Sequence, residues 1–281
     1  MNVDPCLIAY GFGAALAAPL ILGGFNAVHR APRLGVTAWL AAALSVPVSW
    51  LIAALSLAHH PGRLAPGIGF ALAIGVTTRL VWVTVRTWSM SRSRRARHAE
   101  AARLLGRHDP VLDAIVVDFP DPVAYCLPSP SGGIVVVSSG ARSVLSARQL
   151  KAVIAHEREH LDGHHHLLLT AVHSLARFVP QLQLFRRLGT EVGRLLEMRA
   201  DDVAARRHGR RTVAAAITAM APTAAPVAAM GAGGSSAAVR AVRLLQHRGA
   251  TPRDRLGLVV TTILLAAGPF IAAVPPCPHP W

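Results

Sequence analysis

Four long stretches of this chain carry almost no charge, and they restrict its fold more than any motif does. From Leu7 to Ala27 there is no charged residue; Asp4 precedes the run, and His29, Arg30 and Arg33 follow it. A second uncharged run covers 34–60 and includes Trp39 and Trp50, a third covers 66–85 with Arg79 as its one charge, and a fourth covers 256–274. Each can cross a hydrocarbon layer of roughly 30 Å as a helix. A secretory signal has positive charge before its apolar core, the reverse of what surrounds the first run, so a retained span is expected there. Arg79 is expected to snorkel to the nearby interface. A mean hydropathy of +0.42 together with a net charge of +15 does not suit an ordinary soluble domain, whereas alternation of apolar spans with arginine-rich connections accounts for both.

The arginines also set an orientation. Arg30 and Arg33 follow the first span, Arg86, Arg92, Arg94, Arg95 and Arg97 follow the third, and Arg248, Arg253 and Arg255 precede the fourth. If four spans alternate, all three groups fall on one face, and the positive-inside rule makes that face cytoplasmic. The expected organisation is a membrane domain over 1–87, a cytoplasmic domain over 88–255, and a last span with a short outer tail over 256–281, so that both termini lie outside. Cys6 and Cys277 then share the outer face, where two unpaired thiols are favoured over a disulfide. The basic charge has no accompanying nucleic-acid motif, and anionic lipid explains it more simply.

Within 88–255 a helical stretch over 96–106 precedes three short β-rich runs, 114–117, 123–126 and 134–138, separated by Pro120, Pro122, Pro128, Pro130, Gly132 and Gly133. The run GGIVVVSSG reads either as an edge strand open to an extended peptide or as an ordinary core strand. Ser146 and Gln149 then form a capping box, with Leu145 and Leu150 at hydrophobic-staple positions, which starts a helix whose apolar stripe is Leu150, Val153 and Ile154. Residues 166–188 are apolar and helical but interrupted by His173, Arg177 and Pro180, so they are expected against the membrane surface or in a groove. Further helices are expected over 191–208, 212–221 and 239–247, with a low-complexity Ala/Pro/Gly segment over 222–236.

The chemistry sits on the capped helix, in the stretch AHEREHLDGHHH from Ala155 to His166. His156, Glu157 and His160 have the HExxH spacing, which places two imidazoles one helical turn apart with a carboxylate beside them. Two neutral histidines of this kind hold a zinc ion, and the glutamate takes the proton of a hydrolytic water. One zinc per chain is expected.

Two candidates compete for the third ligand. The string from His156 to His166 satisfies HExxHxxGxxH, in which a turn at Gly163 would bring His166 to the metal. Alternatively Glu197, in EMRAD on a second helix, completes the site. Three features favour Glu197. The residues after Gly163 are helix-forming, so the chain need not leave its helix there. Asp201 lies one turn from Glu197, where it can accept a hydrogen bond from the far nitrogen of a ligand histidine. Neither Met198 nor Met220 stands in a turn of the kind that the three-histidine sites use. For stabilising an oxyanion, His208, Arg206 and Arg207 are the candidates.

The segments AYCLPSPSGGIVVVSSGA, LSARQLKAVIAHEREHLDGHHH and EMRADDVAARRHG, with three spans before the domain and one after, resemble the BlaR/MecR-type integral membrane metallopeptidases. The resemblance implies a mainly α membrane protein, four transmembrane helices with an α+β gluzincin domain between the third and fourth. It implies zinc on His156, His160 and Glu197, with Glu157 as catalytic base and Asp201 in support. It further implies regulated cleavage of a cytoplasmic protein substrate, such as a BlaI/MecI-type transcriptional repressor. The antibiotic sensors of that family carry a penicillin-binding domain after the last span, where this sequence has only PPCPHPW beyond Val274. Two other functions fit the same residues: an HtpX-like quality-control protease for damaged membrane proteins, and a non-catalytic transducer with a structural zinc, against which the presence of Glu157 speaks.

Overall fold

The computed structural model describes residues 4–129, 133–221, 234–246 and 249–274. In chain order the elements are α1 (Asp4–Gly24), α2 (Ala27–Arg30), α3 (Pro32–Ala58), α4 (Ala65–Leu105), β1 (Gly106–Asp109), β2 (Ala114–Val117), β3 (Ala124–Leu127), β4 (Ile134–Ser138), α5 (Ser139–Val144), α6 (Ala147–Asp162), α7 (His165–Ala176), α8 (Gln183–His208), α9 (Arg210–Ala219), α10 (Gly234–Leu245) and α11 (Pro252–Ala272). Packing divides them into two units. One takes the described residues of 1–89, 169–195 and 249–281, the other those of 90–168 and 196–248.

In the first unit α1, α3, α4 and α11 are each long and apolar enough to cross a membrane. They begin a few residues earlier than the uncharged runs suggest, because a span ends where its helix ends rather than where charge begins. Close approach is built on small residues: a side chain at Gly69 would strike the backbone of α3 at Ala58, and one at Gly268 would strike the ring of Tyr10, whose hydroxyl donates to the Leu265 carbonyl at 2.8 Å. Thr251 and Asp254 form a capping box that opens α11, and Asp254 also pairs with Arg30 at 3.3 Å.

Residues 169–195 belong to this unit and not to the domain expected over 88–255. Leu184, Phe185, Leu188, Val192 and Leu195 are fully buried, which a helix lying on a membrane surface would not achieve. Arg79 is part of the same packing. It donates to the Arg177 carbonyl at 2.9 Å and to that of Phe178 at 3.4 Å, so its guanidinium is satisfied by the backbone that follows α7.

The third span does not stop at Val85. Residues 86–105 contain no glycine or proline and are rich in arginine, alanine and leucine, so α4 continues as a single helix to Leu105. Gly106 ends it, since any side chain there would collide with Ile115 and with the Ala102 carbonyl. Gly106, expected as the last residue of that helix, is instead the first of β1.

In the second unit the sheet order is β1-β2-β4-β3, with β1 antiparallel to β2, β2 parallel to β4 and β3 antiparallel to β4. The edge-strand reading of GGIVVVSSG is thereby corrected: β4 is interior, and the edges are β1 and β3. The physical reason is visible in the residues. Val135 and Val137 pack toward Leu145, Leu150 and Ile154, while Val136 packs on the other face with Ile115 and Leu127. An apolar run buried on both faces is a central strand. The capping box at Ser146 and Gln149 forms as its spacing predicts, and Leu145 and Leu150 meet in the core below it, which seats α6 on the sheet. Behind α6 a layer of alanines, Ala152, Ala155, Ala204, Ala205, Ala214 and Ala241, brings α6, α8, α9 and α10 together.

The residues 222–233 lie outside the described residues, as do Cys277 and with it the question of its pairing with Cys6.

Candidate metal centre

The site is assembled from two helices. On α6 the capping box fixes the first turn, and Leu150 and Ile154 press one face into the core; Glu157 follows them along that face, three residues beyond Ile154, while His156 and His160 lie one turn apart on the adjoining face. On α8 the buried Leu196, Met198, Ala200 and Ala204 set the rotation of the helix. Glu197 and Asp201, one turn apart, then face α6.

His156 Nε2 lies 3.4 Å from Glu197 Oε2, His160 Nε2 lies 3.3 Å from Glu197 Oε1, and the two imidazole nitrogens are 3.1 Å apart. One ligand atom from each residue falls within 4.8 Å of the others, and among the described residues this is the group of three that could hold a metal ion. Two imidazole lone pairs facing each other repel unless a proton or a cation lies between them. A pair of neutral histidines with one carboxylate is the donor set of a hydrolytic zinc site, so the residues present fit zinc.

Electrostatics reinforce the grouping. Burial opposes protonation of His156, but hydrogen bonds to Asp201 and Glu197 outweigh it and raise its pKa to about 9. Burial likewise favours neutral Glu197, yet bonds to His156 and His160, with Arg240 nearby, hold it far below the usual carboxylate range. Glu157 is shifted the other way: burial raises it, and the neighbouring imidazoles only partly compensate. A buried carboxylate beside a cation site with a raised pKa has the character of a proton acceptor poised nearer neutrality.

Asp201 sits where the spacing predicts. It is fully buried, and its Oδ1 lies 3.1 Å from His156 Nδ1, which leaves Nε2 to face the cluster. The helix break at Gly163 overturns one expectation. α6 stops at Asp162, Gly163 caps it, and His164 takes a left-handed φ of 48° before α7 begins at His165. His166 is nevertheless not part of the converging group. His165 is instead the histidine brought back, its Nδ1 lying 2.8 Å from His160 Nδ1, and burial together with His160 lowers its pKa to about 4. His165 is thus buried beside His160, not exposed at a helix end.

The oxyanion candidates are not brought to the cluster. Arg207 and His208 line a cavity of about 390 Å³ with Lys151, Ile154, Ala155 and Arg158, on the face of α6 opposite His156 and His160. Arg206 is exposed.

Two residues with no signature in the sequence do reach the site. Arg240 of α10 grips Asp201 through two hydrogen bonds of 2.7 and 2.6 Å and places a third nitrogen 3.0 Å from Glu197 Oε2. Arg243, one turn on, pairs with Asp202 at 2.8 Å and docks the same helix. Cys126, on the edge strand β3, is hydrogen-bonded to Glu157; burial, then that carboxylate, pushes its thiol up to about 12, so it is a neutral neighbour.

The family model described as Peptidase family M48 matches residues 90–271, more than half of the chain and inclusive of every residue of this site. No curated protein and no solved structure matches the chain.

Proposed function

The chain belongs to peptidase family M48, and on that premise we propose that it is a membrane-embedded zinc endopeptidase whose centre is His156, His160 and Glu197, with Glu157 as general base. The observation that carries this reading is the convergence of those three donors beside a buried carboxylate of raised pKa. A zinc ion held by them supplies Lewis acidity toward a scissile carbonyl and lowers the pKa of water. Glu157 accepts the proton of the attacking water and delivers it to the leaving amine. Asp201 holds the imidazole of His156 in the tautomer that directs Nε2 to the centre, and Arg240 holds Asp201.

The substrate's backbone is expected on β3. This strand pairs with β4 on one side and is an edge of the sheet on the other, and it carries Cys126, which touches Glu157. An extended peptide adding to that edge passes the base. This gives to β3 the role that the edge-strand reading of GGIVVVSSG would have given to β4.

For the biological substrate we favour a defined cytoplasmic protein, such as a transcriptional repressor, on the strength of the resemblance to BlaR/MecR sensors and of an arginine distribution that supports a cytoplasmic catalytic domain by the positive-inside rule. Membership of M48 is equally compatible with HtpX-like removal of damaged membrane proteins. Comparing the proteomes of cells with the wild-type and the Glu157→Gln protein separates the two: one accumulating protein identifies a regulatory cut, and many accumulating membrane proteins identify quality control. The ligand set is tested by metal analysis of purified Glu197→Ala protein, which is expected to hold far less than one zinc per chain. Unchanged zinc would remove Glu197 and return His166 to consideration.

A further inference from the structure

The turn after α6 has a consequence for the second histidine. Nδ1 of His165 lies 2.8 Å from Nδ1 of His160, with the rings nearly perpendicular at 80° and 4.8 Å between centroids. His165 is 1% exposed, and its Nε2 has no hydrogen-bond partner among the described residues. Gly163 lies directly beneath: a Cβ there would come 2.6 Å from His165 Nε2 and 2.8 Å from Cδ2.

These contacts have one consistent proton arrangement. For His160 to offer the lone pair of Nε2 to a cation, its proton must sit on Nδ1 and needs an acceptor. The acceptor facing it is Nδ1 of His165, whose own proton is then on Nε2. His156 has a carboxylate, Asp201, at the same place. Resting on the zinc-site reading above, we propose that His165 is a positioning residue that accepts the Nδ1–H of His160 and fixes its Nε2 toward the metal, and that Gly163 is there to admit the His165 ring. The glycine that suggested a third histidine ligand thus serves a histidine that does not ligate.

The test uses the purified full-length protein in detergent. Zinc affinity is read by competition with a chromophoric chelator, and ligand geometry by the visible spectrum of the cobalt-substituted protein. Asparagine places its side-chain oxygen where Nδ1 of histidine lies, whereas glutamine reaches toward Nε2. His165→Asn is therefore expected to bind zinc within a few-fold of wild type, and His165→Gln to bind it roughly 10- to 100-fold more weakly with an altered cobalt spectrum. Gly163→Ala, which displaces the ring, is expected to behave as His165→Gln does. Equal affinities and spectra for the asparagine and glutamine variants would overturn the proposal, and since both are polar and of similar size, a general folding defect would affect them alike. If the wild-type protein itself binds no zinc, it is the metal-centre reading that fails.

Discussion

Replacing Glu157 by glutamine leaves the metal bound and lowers peptidase turnover by roughly 10²- to 10⁴-fold, the range that a positioned general base contributes. The substitution keeps the size of the side chain and its place on α6, and it leaves untouched the donors His156, His160 and Glu197. What it removes is the capacity to accept a proton. The environment of Glu157 makes the test a sharp one, because burial raises its pKa and thereby improves it as a base at neutral pH. Zinc content near one per chain together with lost cleavage of a peptide substrate is the expected pair of measurements. Turnover within a factor of a few of wild type would remove Glu157 as the base. Loss of zinc would show instead that Glu157 supports the metal.

Replacing Arg240 by alanine has the largest expected effect on stability. Asp201 is fully buried and has two charge-assisted hydrogen bonds from Arg240, which also touches Glu197. Without the guanidinium, two carboxylates face each other across one turn of α8 with only His156 and His160 to compensate them. Leaving one member of such a pair uncompensated in the interior costs about 3 to 5 kcal/mol. Thermal unfolding of the full-length protein in detergent is expected to show a marked fall in midpoint for Arg240→Ala. Asp201→Asn combined with Arg240→Met should recover much of it, since both charges are then removed. An Arg240→Ala protein as stable as wild type would mean that water reaches Asp201 and that the ion pair is not structural. The same variant reports on α10, because Arg240 and Arg243 are its polar anchors, on Asp201 and Asp202 respectively.

The local features of the site were legible because each depends on neighbours in sequence. The capping box at Ser146 and Gln149 needs only three residues of spacing, and it sets the start of α6. His156 and His160 are one turn apart on any helix, as are Glu197 and Asp201. The interior position of β4 was not legible, because the run IVVVS satisfies an edge-strand and a core-strand reading alike, and only the packing of its valines on both faces of the sheet decides between them. Gly163 misled in a different way. Its spacing from His160 is compatible with a helix, with a turn presenting His166, and with the turn that forms, which presents His165. Only the space beneath the His165 ring distinguishes them.

Sequence alone thus determined the four apolar helices, the HExxH helix with its cap, and the placing of Glu197 and Asp201 one turn apart on a second helix, because hydrophobic length, capping and helical periodicity act over a few residues to a few turns. Tertiary structure alone decided that Arg240, 39 residues from Asp201, holds that carboxylate, that β3 and not β4 is the edge beside Glu157, and that residues 169–195 pack with the apolar helices. It also left Arg207 and His208 on the far face of α6. A buried charge must find an opposite charge wherever the chain can supply one, and strand order follows from how both faces of a sheet are covered. Neither requirement leaves a short-range mark on the residues that satisfy it.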